Sequence, residues 1–166
     1  MSSTTDNARK IIVTQALPYA NASLHLGHIL EAVQTDIWSR FQNKSGNECL
    51  FFCADDTHGT PVMLKAKEMG TSPEELIKEV QQDHEETYKL YDINFTNYHT
   101  THSDENKKYS EKIYLKAKEN NLITRRSINQ LYDEAESMFL SDRFVKGTCP
   151  KCGAADQYGD GCTKCG

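Results

Sequence analysis

The sequence predicts an α/β protein, a parallel sheet wound by helices, with a small four-cysteine module toward its C-terminal end. Three observations carry this expectation. The apolar runs "KIIVT" (10–14) and "ECLFFC" (48–53) read as buried strands, because runs of this length between turn signals suit a parallel sheet covered on both faces. Between them, from Gly27 to Ser45, Leu30, Val33, Ile37 and Phe41 recur at spacings of three and four, one face of a helix. Last, Cys149, Cys152, Cys162 and Cys165 form a CxxC pair that repeats after nine residues.

Taken in order, residues 1–8 are polar and are expected to fray. Gly46 is placed to stop the first helix. Strand, turn, helix and strand in so short a span make a right-handed βαβ unit, the opening of a doubly wound sheet. A short helix follows, with Thr60 as cap, Pro61 at its first position and Gly70 after its end. "SPEE" (72–75) is a capping box that starts a helix running to about Tyr88. "NYHT" (97–100) reads as a strand and "DENKKYSEKIYLKAKENN" (104–121) as a solvated helix. "LITRRSINQLYD" (122–133) alternates like a hairpin pair. From Gly147 almost nothing is apolar beyond Ala154, Ala155 and Tyr158.

Composition narrows the class. A chain of 166 residues buries roughly 70% of its unfolded surface, enough for one cored domain. Net charge is −5, from 19 basic and 24 acidic residues, so no global field favours nucleic acid, although a local basic patch still could. No apolar run approaches the ~18 residues of a membrane span, and "MSSTTDNARK" lacks a signal-peptide core, so a cytoplasmic protein is expected. Cys49 and Cys53 flank "LFF" and read as small buried residues.

The stretch "ALPYANASLHLGH" (16–28) holds a proline, two histidines three apart and no charge. It falls at the carboxyl edge of the first strand and the N-terminus of the first helix, where open α/β sheets bind ligands and unpaired N–H groups suit phosphate. His25 and His28 can each donate an N–H there, Gly27 permits close approach, and the absence of a carboxylate fits an anion site. As HxGH alone, the stretch reads equally as two capping histidines with an incidental glycine. Asp55 and Asp56 follow the second strand at the same edge and could hold Mg²⁺ or a substrate ammonium; the competing reading is an Asx-stabilised turn. His99 and His102 lack a nearby cysteine or acid to complete a metal set, and His58 and His84 read as turn and helix surface. "DHEE" (83–86) and "TRR" (124–126) read as a solvated helix face and strand edge.

The four cysteines, in a chain without an export signal, read as metal ligands rather than disulfides. Four thiolates satisfy tetrahedral Zn²⁺ and leave no open position, which makes the metal structural. So small a module cannot fold on apolar burial, whereas zinc supplies ~10–16 kcal/mol in small peptides. By itself it could also be a nucleic-acid-binding ribbon.

"LPYANASLHLGH" (17–28) resembles the HIGH signature of class I aminoacyl-tRNA synthetases, and in this wording the methionyl-tRNA synthetase (methionine–tRNA ligase) family. "CADDTHGTP" (53–61), "NYHTTH" (97–102), "MFLSDRFVKGTCPKC" (138–152) and the second CxxC follow in order. The resemblance implies the first half of a Rossmann-like doubly wound sheet, residues 9–119, then the start of a connective insertion, 120–166, with a zinc knuckle at 147–166. It implies ATP-dependent activation of L-methionine to methionyl-adenylate, with Mg²⁺ accompanying ATP, and transfer of the methionyl group to tRNA(Met). It sets His25 and His28 at the α-phosphate, Tyr19, Gly27 and His99 near ATP, and Ala16, Leu17, Tyr19 and Asp56 around methionine. Two other readings stand beside it: a nucleotidylyltransferase with HxGH on a similar sheet, and a non-catalytic zinc-ribbon module. No KMSKS-type lysine loop is found in the sequence. The chain is therefore expected to be an N-terminal part, inactive by itself.

Overall fold

The computed structural model describes residues 8–135, 137–140, 145–159 and 161–166. The polar terminus 1–7 and residues 141–144 of the "MFLSDRFVKGTCPKC" motif lie outside them. The chain divides into two compact units, one through Lys116 and one from Ala117.

In the first unit, β1 (Lys10–Thr14), β2 (Glu48–Asp55) and β3 (Asn97–Thr100) form a parallel sheet in the order β1-β2-β3. The register sets Ile11 beside Cys49, Val13 beside Phe51, and Cys53 beside Tyr98. Parallel neighbours require crossovers: α1 (Leu26–Lys44) joins β1 to β2, and α2 (Thr60–Met69) with α3 (Pro73–Leu90) joins β2 to β3. Ile29 and Ala32 of α1 and Tyr88 of α3 pack with Phe51 in one cluster, so both helices cover the same face. That face takes Cys49, Phe51, Cys53 and Asp55, every second residue of β2. The sequence suggested strands covered on both faces. Instead Ile12, whose side chain points to the other face, is 71% exposed, and Leu50 and Phe52 beside it are half-buried.

The helix ends follow local chemistry. Ser72 Oγ accepts the Glu75 amide and Glu75 Oε2 accepts the Ser72 amide, both at 3.2 Å, closing the expected capping box. The cap of α2 is Gly59 rather than Thr60, so Pro61 stands second in the helix. Gly59 has φ +118, a conformation that resists any side chain. Asn43 closes the α1–β2 turn, its amide donating to the Cys49 carbonyl at 3.0 Å and accepting the Cys49 N–H at 2.9 Å.

Two expectations fail here. The buried face of α1 carries Ile29, Ala32, Asp36, Ser39 and Gln42, whereas Leu30, Ile37 and Phe41 are 59–62% exposed. Only Val33 of the anticipated stripe packs against the core. Asp36 is bearable there because it is paired: it accepts the Asn94 amide at 3.1 Å and bonds Arg40, which also reaches Asp92. Residues 122–131 likewise form no hairpin. They run irregularly after α4 (Asp104–Glu119), and pairing starts only where β4 (Tyr132–Asp133) meets β5 (Met138–Phe139) antiparallel. Alternation alone does not hold a strand without an apolar surface to cover, and nearly all of 122–131 is exposed.

The second unit is otherwise small loops around β6 (Lys146–Gly147) paired antiparallel with β7 (Gln157–Tyr158). Among the described residues no helix is long and apolar enough to cross a membrane.

Candidate active site and cysteine cluster

The β1–α1 loop folds across the end of β2. Asp56 donates its N–H to the Pro18 carbonyl and accepts the Ala20 N–H, both at 2.8 Å, so Tyr19 and Asp56 pair as a parallel bridge. Tyr19 is thereby brought beside Asp56, and Ala16 and Leu17 precede it in the loop that leaves β1. The Tyr19 hydroxyl donates to the His58 carbonyl at 2.6 Å, and burial first, then the Asp56 charge, hold its pKa above the usual phenol range. It stays a donor at neutral pH. A Cβ on Gly59 would lie 2.7 Å from that hydroxyl, so this glycine makes room for Tyr19.

The two signature histidines form the cap of α1. His25 is the N-cap: its Nδ1 accepts the Gly27 N–H at 3.1 Å, while His28 Nδ1 accepts the His25 N–H at 3.3 Å. The rings stack with centroids 3.7 Å apart. Because both Nδ1 atoms accept, each neutral ring carries its hydrogen on Nε2. Neither Nε2 bonds another described residue. A Cβ on Gly27 would meet the His25 ring at 2.9 Å, so Gly27 first of all lets His25 fold back as a cap. Burial, then the neighbouring His25, hold the His28 pKa below the ordinary histidine value. The sequence indicated no carboxylate at this loop. Tertiary folding brings one: Glu31, one turn into α1, accepts the Ala16 N–H at 2.8 Å.

Asp55 and Asp56 take different parts. Asp55 is fully buried beneath the edge, where Oδ1 accepts the Tyr98 hydroxyl at 2.6 Å and lies 2.6 Å from His84 Nδ1. Asp56 remains at the surface of the edge, half-buried. His84, read from sequence as helix surface, is 0% exposed; its helix turns it inward to Asp55. Burial works against its charge, but hydrogen bonds to Asp55 and Ala22 and the Asp55 charge prevail, and its pKa is raised. His99 lies on β3, the far strand from the histidine cap, with Glu105 at 3.8 Å. His58 and His102 meet at 3.4 Å over a cleft of about 640 Å³ that the first turns of α4 help to line. Burial pushes the Cys53 thiol up to about 12, and Cys49 is buried too, in keeping with their reading as small core residues.

In the second unit the thiols of Cys149, Cys152, Cys162 and Cys165 all lie within 4.8 Å of one another. Cys149 and Cys165 are 3.7 Å apart and Cys152 and Cys162 3.6 Å, far beyond a disulfide bond. A tetrahedron with Zn–S bonds of ~2.3 Å has edges of about 3.8 Å. The cage fits that ion. Two tight turns build it, with the Cys149 amide donating to the Ala154 carbonyl at 2.8 Å and the Lys164 amide reaching Cys162 Sγ at 3.4 Å.

A histidine-capped helix beside an acid at a parallel sheet's carboxyl edge occurs in more than one family. Comparison with known proteins decides among them: residues 11–166 match the family described as tRNA synthetases class I (M). The chain belongs to that family. The match runs through both units, which neither the nucleotidylyltransferase nor the isolated-ribbon reading explains. Two strains of Leptospira biflexa serovar Patoc have a methionine–tRNA ligase 62% identical to this class I (M) chain over 159 residues. The aligned stretch is 96% of the present chain and 23% of each relative, so the chain spans about a quarter of their length. Among solved structures, the Mycobacterium tuberculosis methionyl-tRNA synthetase in complex with methionyl-adenylate superposes with a TM-score of 0.73 at 18% identity, over 92% of this chain and 31% of that one. The LeuRS of Agrobacterium radiobacter K84, in a ternary complex with tRNA and LeuAMS, gives 0.72 at 22% identity, over 93% and 20%. The α/β class I fold of this family member is thus established.

Proposed function

We propose that this chain carries the amino-acid-activating edge of a methionine–tRNA ligase. In this reading the methionine carboxylate attacks the α-phosphate of MgATP, pyrophosphate leaves, and the methionyl group of the adenylate passes to the terminal adenosine of tRNA(Met). The observation that carries the reading is the tautomer of the stacked histidines. Their Nδ1 atoms are spent on the helix cap, so two Nε2–H donors remain at the positive end of α1 for developing phosphate charge. Neither acts as a base, since a carboxylate is already a nucleophile.

Asp56 supplies the counter-charge for the substrate ammonium, while Ala16, Leu17 and Tyr19 wall an apolar thioether side chain. Gly27 and, from β3, His99 approach the nucleotide. Cys149, Cys152, Cys162 and Cys165 would hold one structural Zn²⁺, which orders residues 147–166 within a connective insertion spanning 120–166 and takes no part in chemistry. Residues 9–119 are the first half of the catalytic domain, and the protein works in the cytosol. The 166 residues alone are inactive, because attack geometry must be held from both sides of the α-phosphate and ~1 Å of misplacement costs about a hundredfold.

The test is methionine-dependent ATP–pyrophosphate exchange in a full-length enzyme carrying this segment in place of the matching segment of the Leptospira biflexa relative. His25→Ala and His28→Ala should each lower kcat about a hundredfold and change KM for methionine far less, because the contacts strengthen as charge builds. Asp56→Ala should instead raise KM for methionine. An unchanged kcat in both histidine variants would remove them from the mechanism.

A further inference from the structure

His84 joins three parts of the first unit that are remote in sequence. It projects from the middle of α3, is 0% exposed, and has acidic neighbours on either side in Asp83 and Glu85. Its Nε2 lies 2.8 Å from the Ala22 carbonyl, 62 residues away, and its Nδ1 lies 2.6 Å from Asp55 Oδ1, 29 residues away. A carbonyl only accepts, so Nε2 carries a hydrogen and donates it. Asp55 Oδ1 also receives the Tyr98 hydroxyl, while Oδ2 has no hydrogen-bond partner among the described residues. The buried carboxyl is therefore held from one side, by His84 and Tyr98.

The Ala22 end matters because of what the loop carries. Between the Tyr19–Asp56 bridge and the His25 cap the chain has no regular structure, and Asn21 bonds only back to Tyr19 through its amide. Ala22 lies midway between these anchors and three residues before His25. Among the described residues only His84 hydrogen-bonds it, while Ala20 before it is buried in the core and Leu24 after it packs against the Phe51 cluster. We infer that His84 is a positioning residue: by grasping the Ala22 carbonyl from α3 and bracing itself on Asp55, it sets where the His25–His28 cap stands over the sheet edge. The inference rests on the proposed ligase reading for its consequence in catalysis, and on geometry alone for the clamp.

The two ring nitrogens can be tested separately, because a Gln amide reaches toward the Nε2 position and an Asn amide stands at the Nδ1 position. In the same full-length enzyme, His84→Asn keeps the Asp55 contact and releases Ala22; His84→Gln keeps Ala22 and releases Asp55. We expect His84→Asn to lower kcat of pyrophosphate exchange about a hundredfold, the scale of a small misplacement, with KM for methionine within about threefold. His84→Gln should restore most of kcat although both variants lose stability. A merely structural histidine would give losses that follow stability alike in both. Amide hydrogen exchange supplies an activity-independent readout: His84→Asn should speed exchange at His28 and Ile29, and His84→Gln should not. Equal kcat and equal protection in the two variants would overturn the clamp. Should His84→Asn not fold, His84→Gln decides alone, since loss of protection at His28 and Ile29 despite the retained Ala22 contact would overturn it. Failure of the unsubstituted enzyme to exchange pyrophosphate would defeat the ligase reading and leave the clamp to the hydrogen-exchange result.

Discussion

His25 and His28 stack with ring planes 13° apart, and each cap hydrogen bond ends on an Nδ1 lone pair. Protonating His28 on Nδ1 would remove the acceptor for the His25 amide and put charge against its neighbour. Burial first, and after it the neighbouring His25, hold the His28 pKa below its ordinary value. For a depressed pKa the stabilisation is present above about pH 6.5 and is lost as pH falls through the folded value. His84 has the opposite shift, so its stabilisation is complete below about pH 6.5 and fades as pH rises through its own folded value. Comparing the wild-type chain with His28→Gln isolates the first effect. Between about pH 7.5 and about pH 5.5 the Tm of the wild type should fall more steeply than that of the variant. Parallel curves would show that His28 does not titrate against the cap.

Gly59 and Tyr19 are predicted to be coupled. Gly59→Ala places a Cβ 2.7 Å from the Tyr19 hydroxyl on a backbone with φ +118, and should cost about 1–3 kcal/mol in urea denaturation. In a Tyr19→Phe background the same substitution should cost less, because the opposing oxygen is gone. Identical costs in both backgrounds would assign the whole penalty to backbone strain.

The cysteine cage should contain about one Zn²⁺ per chain when the protein is prepared without added zinc, and thiol modification should release it. Cys162→Ser should lose the metal and expose residues 147–166 to proteolysis while the far-ultraviolet signal of the helices persists. Metal-free protein with four reduced thiols would refute the site.

The faces of α1 make opposite predictions. Leu30→Gln, Ile37→Gln and Phe41→Gln should each change the stability of this chain by less than about 0.5 kcal/mol, since these side chains are mostly exposed. Asp36→Ala should cost about 1–3 kcal/mol, because the Asn94 amide and Arg40 lose their buried acceptor. Urea midpoints measure both. Costly substitutions at 30, 37 and 41 with a neutral one at 36 would show that the helix packs by its apolar stripe after all.

What the sequence by itself determined are the features set by residues close along the chain. A capping box needs only Ser72 and Glu75, and β1, β2 and β3 need only short apolar or β-branched runs between turns. A four-thiolate cage likewise needs little more than its spacing, because four short-reaching ligands on two tight turns have few other ways to meet. The HxGH stretch announced a helix start at a sheet edge for the same local reason.

Only the tertiary structure decided which polar groups would be buried. Asp36 sits on the core face of α1 because a backbone amide 58 residues away meets it, and His84 turns inward because Asp55 and Ala22 wait there. Burying a polar group is costly alone and cheap when paired, so its place depends on partners that no local window contains. Glu31 reaching back to the Ala16 amide likewise depends on how the loop folds against α1. Hydrophobic spacing told where α1 runs. Which way it faces was settled by hydrogen bonds to distant residues, since a helix carrying two candidate stripes packs by the one whose polar members find their partners.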